Sequence, residues 1–199
     1  MLNDHCRDGH VHPDHVDHRV AAVEKGIFMS SSQSTASVNP PLDPGTRIGH
    51  VHLKVADLER ALEFYCGVLG FELTQRYGRE AAFVSAGGYH HHIGLNTWMS
   101  KGGSPPPVGA TGLFHLAILY PTRKALAEAL QRLVVARVRL DGASDHGVSE
   151  ALYLHDPDNN GIELYWDRPN EVWPRNSDGS LNMYTEPLDV QELLASAAS

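Results

Sequence analysis

The sequence predicts an α+β fold in which two βαβββ modules pair and form a curved sheet around one cleft. Two observations lead to this prediction. Segments with the alternation of strands and a segment with helical spacing follow one another in the same order twice within residues 46–168. The two copies also share a register, because His50 and His115 take the same place in the first strand, and "IGL" and "IEL" take the same place in the last.

The first module is predicted over residues 46–103. "RIGHVHLKVAD" alternates with the period of a strand. "DLERALEFYCGVLGF" then has apolar residues at helical spacing, with Asp57 as the N-cap and Gly70 as the C-terminal stop. The segments "FELTQRY", "EAAFVSA" and "HHIGLNTW" predict three further strands, which completes the order β-α-β-β-β.

The second module is predicted over residues 109–168, after a loop rich in glycine and proline. "LFHLAILY" predicts its first strand, and a helix is expected from Thr122 through "RKALAEALQRLVV". The segments "RVRLDG", "SEALYLHD" and "GIELYW" predict the remaining strands. Residues 46–168 are therefore expected to form one domain.

Two flanking segments differ from this pattern. Residues 1–45 carry five histidines within the first 18 positions and a run rich in serine and proline, a composition that predicts a disordered leader. Residues 169–199 contain prolines and a short helical pattern at 188–197. We expect this C-terminal extension to cover one edge of the fold or to reach a partner subunit, which leaves a homodimer open.

Charge and cysteine content narrow the class of function. The chain has 16 Lys and Arg against 24 Asp and Glu, a net charge of −8, and no basic run. This balance argues against a nucleic-acid or anionic-membrane partner and favours a small-molecule substrate. The two cysteines allow no disulfide framework, and residues 1–28 are too polar for a signal peptide, so a cytoplasmic protein is expected.

The repeat also predicts a metal-containing cleft. If the modules pair about a pseudo-twofold axis, equivalent positions face each other, and four slots hold His50, His115, Glu163 and the side-chain-free Gly94. Two imidazoles and one carboxylate with open positions are typical of non-haem Fe(II) oxygen chemistry. Taken singly, a histidine or glutamate in a strand is more often solvated or hydrogen bonded than a ligand, so the prediction depends on their coincidence.

At these positions the chain resembles a known family. "RIGHVHLKVADLERALEFYCGVLGFEL", "GLFHLAILYP" and "ALYLHDPDNNGIELYWDRP" are similar to the vicinal-oxygen-chelate superfamily of glyoxalases, bleomycin-resistance proteins and extradiol dioxygenases, most of all to its catechol 2,3-dioxygenase-like branch. The resemblance implies His50, His115 and Glu163 as metal ligands. Metal-dependent glyoxalases of the superfamily typically have a fourth carboxylate ligand where this chain has Gly94, which counts against a lactoylglutathione isomerase.

Strand alternation assigns faces to the histidines before Gly94. If Gly94 faces the cleft, His92 and His90 share its face and His91 points away. The resemblance implies that a histidine in this strand is the acid/base for a substrate hydroxyl, a role that falls most naturally on His92. The alternative is a strand histidine bonded to a backbone carbonyl.

Two further residues are candidates for substrate contacts. The resemblance places a substrate-binding tyrosine at Tyr153, ten positions before Glu163. His146, in the loop before that strand, could close over the substrate, and the alternative is an exposed loop histidine. His52 and Asn96 share the predicted cleft face and are expected to line the pocket.

The resemblance implies a metal-dependent extradiol dioxygenase that cleaves a catecholic ring with O₂. Fe(II) is the expected metal, and Mn(II) or another divalent ion is the alternative. Two other functions stay open at this point: a metal-dependent transferase, isomerase or lyase acting on another oxygen-chelating small molecule, and a non-catalytic small-molecule-binding protein.

Overall fold

A computed structural model describes residues 40–198 of the chain, and residues 47–198 form an α+β unit with two mixed sheets. The first sheet has the order β1-β4-β3-β2, with β1 parallel to β4 and the other neighbours antiparallel. Its strands are β1 (Val51–Lys54), β2 (Glu72–Tyr77), β3 (Ala81–Ser85) and β4 (Ile93–Asn96). The predicted α+β class with curved sheets is confirmed.

The helix of the first module begins and ends where the sequence predicts. Helix α1 (Leu58–Leu62) is capped by Asp57, whose Oδ1 accepts hydrogen bonds from the N–H groups of Glu59 and Arg60 at 2.9 and 3.1 Å. The helix continues as a π-helical segment, Glu63–Val68, and the chain turns at Gly70 with φ of +88°. The wider winding was not predicted, because apolar spacing alone does not distinguish the two helix types.

The second module repeats this arrangement. Its sheet has the order β5-β8-β7-β6-β9, with β5 parallel to β8. The strands are β5 (Leu116–Leu119), β6 (Gly142–Asp145), β7 (Ser149–His155) and β8 (Gly161–Asp167). Helix α2 (Arg123–Val135) begins where it was predicted, and Thr122 is its N-cap. Strand β9 (Glu186–Pro187) comes from the C-terminal extension.

Two details of the strand prediction are wrong. Residues 137–140 are not a strand, and β6 starts only at Gly142. The chain leaves α2 through Arg137 at φ of +56°, and Val138 and Leu140 then pack on the core, so their apolar character reflects burial in a loop. Strands β1, β4 and β5 are also shorter than predicted and begin immediately after a histidine.

One face of each sheet packs on the helices and forms the core. Leu53, Val84 and Leu95 lie on this face of the first sheet, and Leu152, Ile162 and Leu164 lie on that of the second. Contacts between the modules are polar as well as apolar. The buried Tyr65 hydroxyl donates to Asp156 Oδ2 at 3.0 Å. Asp158 Oδ1 accepts from the Ala56 N–H at 3.1 Å, so the turn before β8 is tied to the end of β1.

The C-terminal extension lies on the second module. Helix α3 (Val190–Ala195) buries Leu193 completely, and β9 pairs with β6 at the edge of the sheet. Within residues 40–198, no helix is long and apolar enough to cross a membrane.

Candidate metal centre

His115 and Glu163 meet on the outer face of the second sheet. Ala117 on β5 lies beside Glu163 on β8, and His115 is two residues earlier on the same face. His115 lies beside Gly161 at the start of β8, and its Nε2 lies 3.0 Å from Glu163 Oε2. Two of the three predicted metal ligands are therefore in direct contact.

Tyr153 extends this contact on the next strand. It lies directly opposite Glu163 in the β7/β8 register, and its hydroxyl donates a hydrogen bond to Glu163 Oε1 at 3.1 Å. Burial, followed by the charge of Glu163, raises the pKa of Tyr153 to about 12. The tyrosine therefore keeps its hydroxyl hydrogen at neutral pH and acts as a donor.

His146 forms the outer end of the same chain of hydrogen bonds. Its Nε2 lies 2.8 Å from the Tyr153 hydroxyl, and its Nδ1 lies 3.0 Å from the main-chain carbonyl of Tyr184. The ring is half-buried, so the alternative of a freely exposed loop histidine does not describe it. Four of the six predicted site residues thus form one continuous cluster: His146, Tyr153, Glu163 and His115.

His50 does not join this cluster. It precedes β1 on the outer face of the first sheet, and its ring packs against His91 with centroids 4.5 Å apart. Among residues 40–198, no group of three or more His, Cys, Asp or Glu side chains lies close enough to share an ion. The predicted opposition of His50 to His115 across one cleft is thus not found within this part of the chain.

The histidines before Gly94 are oriented differently from the prediction. Residues 90–92 precede β4 and do not follow strand alternation. His91, expected to point away, packs against both His50 and Phe83 on the outer face of the sheet, with ring centroids 4.5 and 4.9 Å apart. Burial and then the proximity of His50 lower the pKa of His91. The assignment of His91 to the opposite face is wrong.

His92 is held at the end of β3. Its Nδ1 lies 3.0 Å from Ser85 Oγ and accepts from the Ala86 N–H at 3.3 Å. These bonds differ from the alternative of a bond to a backbone carbonyl, because Nδ1 accepts from a backbone N–H and contacts a serine hydroxyl. The acid/base role of His92 stays a prediction.

Gly94 is not an empty slot. In the β1/β4 register His52 lies beside Gly94, and the His52 ring covers it, so that a Cβ at residue 94 would stand 2.9 Å from ring carbons. The equivalent pair in the second module is Ala117 and Glu163. The large side chain has therefore changed strands between the modules, and His52 fills the space that a carboxylate at 94 would need.

The residues present fit a divalent ion in their donor chemistry. Imidazole nitrogen and carboxylate oxygen suit Fe(II), Mn(II) and related ions. The Nδ1 of His115 is buried and has no hydrogen-bond partner among the described residues, so only the Glu163 contact holds its ring through hydrogen bonding. The imidazole can exchange that hydrogen bond for an ion without breaking another one.

The fold and the positions of these residues agree with one protein family. Residues 47–164 match the family model of the Glyoxalase/Bleomycin resistance protein/Dioxygenase superfamily. The chain belongs to this superfamily. The match includes His50, His115 and Glu163 and ends before the C-terminal extension.

Curated relatives of this superfamily member include proteins named as dioxygenases. The chain is 43% identical over 152 residues to a protein of Bacillus subtilis named catechol-2,3-dioxygenase. The aligned residues make up 76% of this chain and 52% of the relative. It is 28% identical over 121 residues to biphenyl-2,3-diol 1,2-dioxygenase 2 of Rhodococcus globerulus, covering 61% of this chain and 63% of that protein. The chain thus spans about half to two thirds of the length of these relatives.

A solved structure supports the fold. The crystal structure of a glyoxalase/dioxygenase from Nostoc punctiforme superposes with a TM-score of 0.55 at 21% identity, covering 67% of this chain and all of that one. This likeness concerns the fold alone.

Sequence reasoning missed three contacts of the site. Tyr184 and Thr185 contact His146, and they lie in the extension, outside the repeat that guided the prediction. His91 was assigned to the wrong face because β4 was extended backwards through it. If β4 had been predicted to begin after His92, strand alternation would not have been applied to His91.

Proposed function

We propose that the chain is a metal-dependent extradiol ring-cleaving dioxygenase that acts on a catecholic substrate, with Fe(II) as its metal. The observation that carries the proposal is the contact of His115 Nε2 with Glu163 Oε2 at 3.0 Å, in line with Tyr153 and His146. The names of the two relatives, catechol-2,3-dioxygenase and biphenyl-2,3-diol 1,2-dioxygenase, support a substrate with two adjacent ring hydroxyls.

His115 and Glu163 would hold the ion together with His50. A bound divalent ion lowers the pKa of a coordinated hydroxyl and brings two reactants together. The chain's own groups would handle the proton. Tyr153 stays protonated, and its one hydroxyl hydrogen can be donated either to a substrate oxygen or to His146 Nε2, which lies 2.8 Å from the hydroxyl. We also propose His92 as the acid/base for a substrate hydroxyl.

The contact of His52 with Gly94 argues for three ligands over four. An isomerase-type site would need a carboxylate at position 94, and the His52 ring occupies the space beside it. This observation supports the dioxygenase over the glyoxalase-like alternative. The contact does not distinguish the dioxygenase from a transferase that uses three metal ligands. An experiment can distinguish them, because a transferase does not consume O₂.

The decisive experiment is O₂ uptake by protein loaded anaerobically with Fe(II), with a panel of substituted catechols as substrates. We expect O₂ consumption in step with ring cleavage, abolished in Glu163→Gln and kept in Glu171→Gln, an exposed carboxylate of the extension. Turnover of another chelating substrate without O₂ uptake would move the function to the transferase, isomerase or lyase class. Bound metal without any turnover would support a binding protein.

We further propose that His50 joins the pair from a second copy of the chain. Strands β1 and β5 are outer strands of their sheets in the described residues. Large apolar side chains next to the predicted ligands are exposed there, with Ile48 at 97% and Phe114 at 89%. Such exposed groups beside open strands favour a protein interface. Two copies related by a twofold axis would bring each His50 to the other copy's His115 and Glu163.

Mixing two inactive variants tests this assembly. His50→Ala and Glu163→Gln should each be inactive alone, while subunit exchange creates mixed dimers with one intact site. The mixture should then recover about a quarter of wild-type activity, because half of the dimers are mixed and each has one of two sites intact. No recovery in a mixture shown to exchange subunits would place His50 with His115 in the same chain.

A further inference from the structure

The C-terminal extension contacts the site at His146. The main chain of residues 184–188 runs along β6, where the Tyr184 N–H donates to the His146 carbonyl at 3.3 Å and Glu186 pairs with Asp145. The same stretch contacts the His146 ring, since the Tyr184 carbonyl lies 3.0 Å from Nδ1 and Thr185 Oγ1 lies 3.2 Å from it. This segment lies beyond residue 164, where the family match ends.

These contacts fix which ring nitrogen of His146 carries hydrogen. A main-chain carbonyl can only accept, so the bond to Tyr184 requires hydrogen on Nδ1. In the neutral ring Nε2 then has a lone pair, and this lone pair faces the Tyr153 hydroxyl at 2.8 Å. In a histidine, the hydrogen bond at one nitrogen sets the state of the other.

The Tyr153 hydroxyl has one hydrogen and two acceptors. Glu163 Oε1 lies 3.1 Å away on one side, and His146 Nε2 lies 2.8 Å away on the other. Whenever His146 accepts that hydrogen, Glu163 Oε1 loses the hydrogen bond from Tyr153, while Oε2 keeps its contact with His115 Nε2 at 3.0 Å. The tautomer of His146 therefore influences how Glu163 presents its carboxylate.

The C-terminal extension packs closely against Gly147, the residue after His146. Gly147 has φ of +76°, and a Cβ there would stand 2.6 Å from Tyr184 Cε1 and 2.8 Å from Pro174 Cγ. Only a residue without a side chain lets the extension approach this closely. A single added methyl group is thus a way to displace the segment while α3 stays anchored through the buried Leu193.

We propose that Tyr184 and Thr185 are positioning residues of the active site, holding His146 as the Nδ1–H tautomer so that Nε2 serves the Tyr153 hydroxyl. The consequence for turnover rests on the proposed function. The tautomer itself does not, and it can be measured in protein without metal or substrate.

The experiment is ¹⁵N NMR of the full chain labelled in histidine side chains, recorded at alkaline pH, with the signals of His146 assigned by their loss in His146→Gln. We expect hydrogen on Nδ1 and a lone pair on Nε2 in the wild type. Thr185→Val, which keeps the shape of the side chain, and Gly147→Ala, which displaces the segment, should both increase the Nε2–H form. Ser177→Ala, in the same exposed stretch, is the control and should leave the spectrum unchanged.

Kinetics add the second readout. Thr185→Val should lower kcat/KM for the catechol about three- to tenfold, the effect of one lost hydrogen bond, with metal content and thermal stability unchanged. Hydrogen on Nε2 in the wild type would overturn the proposal, as would unchanged tautomer and kinetics in both variants. If the wild type lacks dioxygenase activity but shows the Nδ1–H form, the proposed function fails and the positioning by the extension stands.

Discussion

The His52 ring lies over Gly94 on the parallel β1/β4 pair, with ring carbons 2.9 Å from where a Cβ at residue 94 would stand. In the second module the equivalent positions are Ala117 and Glu163, so the small and the large residue have exchanged strands. Each module therefore has one large and one small side chain at these paired positions, but the first module has no carboxylate where the second has Glu163. A larger side chain at residue 94 should therefore displace the His52 ring.

Gly94→Glu tests this exchange. The new side chain must displace His52, so we expect a loss of roughly 1–3 kcal/mol in the free energy of unfolding, measured by urea denaturation. The double variant His52→Ala, Gly94→Glu reproduces the small and large pair of the second module and should recover most of that loss. Equal stability of Gly94→Glu and the wild type would contradict the contact.

The bond between Tyr65 and Asp156 is expected to couple the two modules. The hydroxyl of Tyr65 is buried, and it donates to Asp156 at 3.0 Å. Tyr65→Phe should lower the free energy of unfolding by about 1–2 kcal/mol, because the buried carboxylate loses one donor. The exposed Tyr77→Phe is the matched control and should be neutral within about 0.5 kcal/mol. A neutral Tyr65→Phe would mean that Asn160 and the main-chain donors satisfy Asp156 alone.

A carboxylate in the second sheet should make stability depend on pH. Hydrogen bonds from Arg168 to Asp145 lower the pKa of that carboxyl below its ordinary value. Because the pKa is lower in the folded state, the stabilisation is present above the unfolded pKa of about 4 and is lost as the pH falls through the folded value. Asp145→Asn should therefore cost roughly 1–2 kcal/mol at pH 7, and the difference from the wild type should vanish in strong acid. A difference that is constant from pH 7 to pH 2 would rule out this ion pair as its source.

Tyr153 should act through its hydroxyl hydrogen. Its pKa of about 12 predicts no loss of activity from Tyr153 ionisation up to about pH 10. Tyr153→Phe should lower kcat/KM about tenfold or more while the bound metal stays stoichiometric, since Glu163 and His115 remain. The measurement is a pH profile of both proteins with metal analysis. Loss of the metal in Tyr153→Phe would assign the tyrosine to metal binding through Glu163.

Much of the fold could be predicted because the chain repeats its pattern. Apolar alternation and helical spacing gave both modules, and the capping side chains Asp57 and Thr122 marked the helix starts. Periodicity could not show that residues 137–140 are a loop, because the partly buried Val138 and Leu140 alternate with exposed arginines as they would in a strand. It also could not show the π-helical winding of Glu63–Val68, where each N–H bonds to a carbonyl five residues back instead of four.

The site was predictable where it lies inside regular strands. Tyr153 and Glu163 are direct neighbours across β7 and β8, so their position on adjacent strands agrees with the place that the resemblance gave to the tyrosine. His91 is outside β4, where alternation no longer determines direction. The contacts of Tyr184 and Thr185 with His146 join positions 38 and 39 residues apart through an irregular segment, which no local pattern reveals.

Anaerobic titration with Fe(II) tests the central claim, the metal centre at His115 and Glu163, most directly. Binding to the wild type, Glu163→Gln and Glu171→Gln would be followed by calorimetry. The wild type and Glu171→Gln are expected to bind one ion per chain. Glu163→Gln should bind at least tenfold more weakly, because it lacks the anionic ligand on which the site depends. Equal affinity of Glu163→Gln and the wild type would contradict the assignment of the centre.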